Sequence, residues 1–422
     1  MKGLITKILL GCCLYASLAA VPAETAERDL PRGTRGLWDR AALIHAEPRV
    51  FPVELPCADA HPLPPNVKPV FIESVPLRGK PTRVFAWWGL PEGASPTNKA
   101  PAMGLVHGGG GTAFASWVKT WNDRGYAAIA MDTCGKMPRG EADGRPHEGH
   151  PWSGPGGWES SLAQLDEPLT DQWTYHAVAA VLKSHAFLRA RPEVDASRIG
   201  LTGISWGGYL TSIVMGVDDD FRFAAPVYGC GWYDLSPCWQ RGMGGDAERF
   251  RRWLMLWDPK NYLSAVSPAC AVLWCAGTND FAYPLDAVRR SCDELDPAVP
   301  LFLSLKLRMV HAHPPHGDPP EITAAADHYL KGKASLPVFT DAHVRDGRLV
   351  ASFSAEGRTV VKAELLATTD PNPDLRARLW NALPATLDTA KGTFAAEIPA
   401  NAVMFFANIV TADGLVFSTR IF

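Results

Sequence analysis

The sequence predicts an α/β protein, a mostly parallel sheet flanked by helices, followed by a smaller all-β sandwich of immunoglobulin-like size. Three observations carry this. Between the glycine run at 108–111 and Leu330, short apolar runs alternate with helix-period segments, the spacing that parallel strands need for their crossovers. One such run, Ile199 to Thr202, turns through Gly203-Ile204-Ser205-Trp206-Gly207 into Tyr209, Leu210, Ile213 and Val214 at helical spacing. Beyond Leu330 the pattern changes to period two, in segments such as HVRDGRLVASFSAEG and VMFFANIVTADG, punctuated by Asp-Gly, Glu-Gly, Pro and Asn.

The 422 residues exceed one ordinary core, and a hydrophobic content of 47% is ample for two. A net charge of −3 without a basic block gives no footprint for nucleic acid. Residues 1–23 read as an export signal. Met1 to Lys7 is a short basic start, Ile8 to Ala20 is apolar, and Val21-Pro22-Ala23 suits cleavage after Ala23. That places the mature chain in a bacterial periplasm or outside the cell. A rival reading of the same stretch is a lipobox at Leu9-Leu10-Gly11-Cys12, with a lipid anchor on Cys12. No later run of roughly twenty apolar residues exists, so no membrane span is expected. The nine cysteines include Cys12 and Cys13, and the odd remainder is not a disulfide framework. Cys230 and Cys238 are close enough to bridge across a loop. Cys134, Cys270 and Cys275 fall in apolar strands or strand ends and are expected as buried thiols.

Residues 24–66, rich in Pro, Ala and Arg, read as an N-terminal arm, and 67–334 as the α/β domain. Within it, Lys68 to Leu77 and Thr82 to Leu90 look like paired antiparallel strands. Ala102 to His107 is a buried strand, Trp117 to Arg124 a helix, and Tyr126 to Asp132 the next strand. Residues 135–170 form a long connection, and Trp173 to Arg191 is helical. After the Ser205 unit come strands at Phe223 to Tyr228, Ala271 to Ala276 and Leu301 to Met309, with helices at Leu285 to Leu295 and Pro320 to Leu330. Residues 229–262 are too long for a simple connection and read as a cap. Residues 336–422 form the sandwich, for which packing is a more economical role than substrate binding.

A serine at a sharp strand-to-helix corner stands exposed at a helix N-terminus, where developing negative charge is favoured. A serine alcohol still needs a histidine to take its proton and a carboxylate to fix that histidine's tautomer. Asp280 lies just beyond the strand AVLWCAG, and its alternative role is a cap for the following helix. Asp293 and Asp296 sit late in a helix and fit less well. After the next strand, VHAHPPHGDPPEI offers His311, His313 and His316. His311 comes first off the strand and is preferred, with His313 as runner-up. A His-x-His tract can also bind metal, but no nearby carboxylate or cysteine spacing completes such a site. Donors for an oxyanion are expected from the backbone N–H of Trp206 and from the glycine run, at Gly109 or Gly110.

These residues are similar to those of the secreted bacterial α/β-hydrolases of the acetylxylan esterase and prolyl-oligopeptidase-like group. LVHGGGGTAF, YAAIAMD, GISWGGYLT, VYGCGW, GTNDFAYPLD and MVHAHPP carry the resemblance, over about residues 80–330. It implies the α/β-hydrolase fold and ester or amide hydrolysis through an acyl-serine, with neither metal nor organic cofactor. Similar proteins usually show His-Gly-His before a Gly-Trp; here the tract is His311-Ala312-His313, with His316-Gly317 after it. The cap holds Trp232, Tyr233, Trp239, Trp253 and Trp257. Trp253 and Trp257, four apart on a helix, read as core, and Trp232 as the pocket residue able to stack on a sugar ring. Arg251 and Arg252 read as a solvated face, with contact to an acidic sugar as the alternative. The favoured function is an exported esterase that removes acetyl or other small acyl groups from polysaccharide. The alternatives are a prolyl-oligopeptidase-type peptidase, for which the segment before the sheet is too short to form a propeller, and a non-catalytic glycan-binding homologue.

Overall fold

The computed structural model describes residues 35–55, 63–139, 147–243, 245–312 and 317–422. The leader read at 1–23, with Cys12, and Cys57 lie outside them. Three antiparallel strands open the main sheet: β1 (Val50–Phe51), β2 (Val67–Glu73) and β3 (Arg83–Gly89). Then follow β4 (Ala100–Val106) and β5 (Ala127–Met131), a small hairpin of β6 (Lys136–Pro138) and β7 (His147–Gly149), and β8 (Val194–Ile204), β9 (Phe223–Val227), β10 (Ala271–Gly277) and β11 (Leu301–Lys306). The order β5-β4-β8-β9-β10-β11 is parallel throughout. Strands β4, β5, β9 and β10 are buried at every position, as their unbroken apolar runs require when both faces are covered.

The covering helices are α1 (Ala115–Asp123), α2 (Trp173–Arg189), α3 (Trp206–Val217), α4 (Pro237–Met243), α5 (Ala247–Trp257), α6 (Lys260–Leu263), α7 (Leu285–Asp293) and α8 (Pro320–Lys331). Two glycines of β8 show which face each of two helices takes. A Cβ at Gly200 would press on Leu330 of α8, and one at Gly203 on Thr211 of α3. Positions three apart on a strand point to opposite faces, so α8 and α3 lie on opposite sides of the sheet. The N-terminal segment contributes Trp38, Leu43 and Ile44 to the core, and the Trp38 indole N–H donates to Tyr175 O at 3.1 Å.

The C-terminal strands are β12 (Val338–Arg345), β13 (Arg348–Ser354), β14 (Val360–Thr368), β15 (Asn381–Pro384), β16 (Thr386–Asp388), β17 (Thr393–Glu397), β18 (Met404–Thr411) and β19 (Val416–Ser418). They form two layers, β12-β13-β17-β16 and β19-β18-β14-β15. The second layer continues the main sheet, because β19 pairs with the edge strand β11. Ser418 and Asn408 hydrogen-bond both backbone groups of Leu305, and the fully buried Glu321 accepts from Lys306 Nζ (2.7 Å) and Val416 N (2.8 Å). Period-two patterning marks such strands but carries no mark of which edge they join. A cavity of about 780 Å³ lies beside this seam, lined by Leu301, Phe302, Phe339, His343, Phe417 and Arg420 among others. It opens at the N-terminal end of β11, whereas Ser205 follows the C-terminal end of the parallel strand β8.

Cys134, Cys270 and Cys275 are buried free thiols, as read. Cys230 and Cys238 are both free thiols, so the bridge considered for them is not formed.

His176 on α2 makes a stability prediction. Burial pulls its imidazole down to about 4, against a smaller opposing pull from Thr170. The folded protein therefore holds it neutral, while the unfolded chain titrates near about 6.5. As pH falls from about 6.5 towards 4 the unfolded state takes up the proton first. This contribution is complete above the unfolded value and is lost as pH drops. The gap corresponds to about 3–4 kcal/mol. His176→Gln is expected to shrink the difference in unfolding free energy between pH 7 and pH 4.5 by about 2 kcal/mol, measured by urea titration at both values. An unchanged difference refutes the assignment.

Candidate active site

Ser205 sits between β8 and α3 with φ 58° and ψ −117°, a backbone that a non-glycine residue rarely adopts. The surroundings enforce it. A Cβ at Gly203 would collide with the Gly207 backbone, and one at Gly207 with the carbonyls of Val106 and His107 on the neighbouring strand. Helix α3 can start this close to the sheet only with glycine at both positions. Ser205 N–H donates to Val227 O at 2.8 Å, and its own carbonyl accepts from Tyr209 N–H at 2.8 Å, so both sides of the corner are fixed.

Two side chains from later strand ends converge on the hydroxyl. His311 Nε2 lies 2.8 Å from Ser205 Oγ, and His311 Nδ1 lies 2.7 Å from Asp280 Oδ2. The Asp280 carboxylate is buried, and its other oxygen accepts the N–H groups of Ala282 (2.8 Å) and Tyr283 (2.9 Å). The capping role and the histidine contact thus use different oxygens of one carboxylate. Three of its acceptor positions are filled, so the group is fixed as a receiver of the Nδ1 proton. His313 and His316 lie outside the described residues.

The His311 ring is held by neighbours that the sequence reading passed over. Tyr228 stacks on it at 4.6 Å and 23°, Phe281 tilts against it at 5.1 Å, and Tyr283 lies parallel at 6.1 Å. The Tyr228 hydroxyl donates to Val310 O at 2.7 Å, tying β9 to the residue before His311. Burial raises that phenol, which keeps it a donor at neutral pH. Tyr228 also has positive φ, 61°, as the chain leaves β9. The signal for it was the Val-Tyr-Gly sequence closing a buried strand, which gives no hint of a partner ring that lies two strands further along the chain.

The glycine run follows β4. A Cβ at Gly108 would sit 3.3 Å from Ser205 Cβ, and one at Gly109 would sit 2.7 Å from Trp206 Cδ1 and 2.5 Å from Trp158 Nε1. The loop thus lies directly against the corner, and Gly110 turns it away with φ 71°. Its base is fixed by His107. Thr133 N–H donates to His107 Nε2 at 3.0 Å, so Nδ1 carries the proton and donates to Gly108 O at 2.8 Å. Asp132 supports the other end, accepting from Thr112 Oγ1 (2.8 Å) and from the N–H groups of Cys134 and Lys136.

The cap aromatics gather on Trp206 rather than on solvent. Trp158 stacks on its ring at 4.9 Å and 15°, with Trp239 at 5.0 Å and Tyr233 at 5.6 Å. Trp253 and Trp257 are fully buried, as their spacing implied. Trp232 is not brought into this group. Its backbone N–H donates to Asp258 Oδ1, and its ring contacts Lys260 Nζ at 4.5 Å and the Arg290 guanidinium at 4.9 Å. Trp158, from the long 135–170 connection, is the tryptophan that reaches the glycine loop. Arg252 pairs with Asp166, and Arg251 contacts Glu248.

Residues 163–312 match the prolyl oligopeptidase family. The matched segment contains Ser205, Asp280 and His311. Among solved structures, the chain is similar to an acetyl xylan esterase from Paenibacillus sp. R4, with 22% identity and a TM-score of 0.51 over 74% of this chain and 99% of that one. An acetyl xylan esterase from Thermoanaerobacterium sp. JW/SL YS485 matches with 17% identity and a TM-score of 0.50, over 74% and 98%. These two likenesses establish the α/β-hydrolase fold. An acylaminoacyl peptidase from Pyrococcus horikoshii matches with 21% identity and a TM-score of 0.45, over 63% of this chain and 41% of that one. Among the described residues, no helix is long and apolar enough to cross a membrane.

Proposed function

We propose that the protein is a serine esterase that removes acetyl or similar small acyl groups from a carbohydrate, exported by the leader at residues 1–23. The observation that carries this is the histidine bridge, with His311 within hydrogen-bond reach of Ser205 on one nitrogen and of Asp280 on the other. In this reading Ser205 Oγ attacks the ester carbonyl while His311 Nε2 takes the hydroxyl proton. Asp280 keeps the neutral ring protonated at Nδ1 and stabilises the imidazolium that forms. The carbonyl oxygen becomes an oxyanion, received by the backbone N–H of Trp206 and by the glycine loop at Gly109 or Gly110. Collapse of the intermediate breaks the bond to the alcohol, which leaves with the proton from His311. Water then repeats the sequence on the acyl-serine and regenerates the enzyme. No metal or cofactor takes part in any of these steps.

The family match favours one second reading, a peptidase. The two readings are separated by one paired assay on the mature chain from Glu24, with Ser205→Ala as control. Release of p-nitrophenol from p-nitrophenyl acetate is followed beside release of p-nitroaniline from an Ala-Pro anilide. Ester cleavage that disappears in the variant supports the esterase, and amide cleavage moves the reading to a peptidase. Silence on both defeats the small-acyl esterase as stated.

A further inference from the structure

We infer that Arg376, carried by the C-terminal β-region, is a substrate-binding residue that takes a carboxylate on the acylated substrate held at Ser205. The inference rests on the esterase reading and names a feature of its substrate. The loop bearing Arg376 is built by short side-chain turns. Asp370 accepts from the N–H groups of Asn372 and Leu379, both at 2.9 Å, Asn372 Oδ1 accepts from Asp374 N–H at 3.0 Å, and Asp374 Oδ1 accepts from Arg376 N–H at 3.1 Å. Thr368 Oγ1 closes its base on Leu379 O at 2.7 Å.

This loop is fastened to the candidate site itself. Asn279, the residue before Asp280, donates its carboxamide N–H groups to Leu375 O and Arg378 O, each at 2.8 Å. The Arg376 guanidinium then lies over the Phe281 ring at 4.0 Å, and that ring is 5.1 Å from His311. The cation is therefore one aromatic layer from the histidine, with its backbone pinned beside the candidate acid.

The charge is also unspent. Arg376 is exposed and has no carboxylate partner among the described residues, whereas Arg378 in the same loop donates to Asn372 O. A chain of net charge −3 thus presents an unpaired guanidinium group beside the candidate site. Stacking on Phe281 fixes its plane without using its N–H fork, which remains free for bidentate binding of a carboxylate. The carboxylate belongs either to the acyl group or to the sugar.

The test uses the full mature chain and three esters: phenyl acetate, 4-nitrophenyl hydrogen succinate with its charge on the acyl side, and 3-carboxyphenyl acetate with its charge on the alcohol side. For each charged ester, kcat/KM is divided by that for phenyl acetate. Arg376→Gln is expected to lower at least one ratio about tenfold, the loss typical of a charge-assisted hydrogen bond, and Arg376→Lys to restore part of it. The ester that responds identifies the side bearing the carboxylate. Both ratios within about twofold of the parent overturn the proposal. If phenyl acetate is not cleaved even by the parent, the esterase reading fails on its own. Binding of 3-carboxyphenyl acetate and of 4-nitrophenyl hydrogen succinate to Ser205→Ala, with and without Arg376→Gln, then decides Arg376 by calorimetry. A weakening of about tenfold for either ligand supports it, and equal affinities for both overturn it.

Discussion

Ser205→Ala is expected to lower kcat for p-nitrophenyl acetate by about 10⁴-fold or more, with little change in thermal stability. Only the hydroxyl is removed, and its one side-chain hydrogen-bond partner among the described residues is His311. The strained φ of 58° is kept by alanine as it is by serine, so the corner neither gains nor loses. His311→Ala is expected to cost a similar factor, because an alcohol without a base is a weak nucleophile. The double variant should be no worse than either single one, since the two residues act as one unit. His313→Ala and His316→Ala serve as internal controls and should keep near-parental rates. Near-normal turnover in His311→Ala with loss in His313→Ala moves the base and breaks the assignment. The same outcome leaves Ser205 untouched, which makes the two roles separable by kinetics.

The legible parts of this site are those set by local rules. A strand-to-helix corner needs glycines at fixed offsets, and the collisions at Gly203 and Gly207 are backbone collisions that no other residue avoids. Chain order places an acid and a histidine beyond later strands, and Asp280 and His311 follow β10 and β11 accordingly. Illegible were the contacts made between distant segments. Tyr228, Trp158 and the Asn279 clamp each depend on which strand ends lie side by side, and no period or spacing encodes that. Trp232 shows the same limit from the other side. Its place in the cap suggested a sugar platform, yet two cations, Lys260 and Arg290, take its ring. The C-terminal strands were recognisable by alternation, whereas their edge pairing through Ser418 and Leu303 was not.

Asp280→Asn is expected to lower kcat by about 10⁴-fold while the protein stays folded, and the hydrogen bonds say why. Asp280 Oδ1 accepts two backbone N–H groups, from Ala282 and Tyr283. An asparagine there must keep its carbonyl oxygen on those donors, because an NH₂ group would face two N–H groups with nothing to accept them. Its NH₂ is therefore turned towards His311 Nδ1, where the carboxylate Oδ2 stood at 2.7 Å. That nitrogen then accepts, which moves the ring proton to Nε2, the atom 2.8 Å from Ser205 Oγ. A protonated Nε2 donates to the serine and cannot take its proton, so the base is present in the wrong tautomer. Binding contacts are untouched, so KM should change little and the loss should fall on kcat. Asp280→Ala differs in a telling way, since it strands both N–H groups in a buried site and should cost about 1–3 kcal/mol of stability as well. If Asp280→Asn keeps turnover within tenfold of the parent, the carboxylate is only the cap of the turn before α7, and the tautomer of His311 is held by something else.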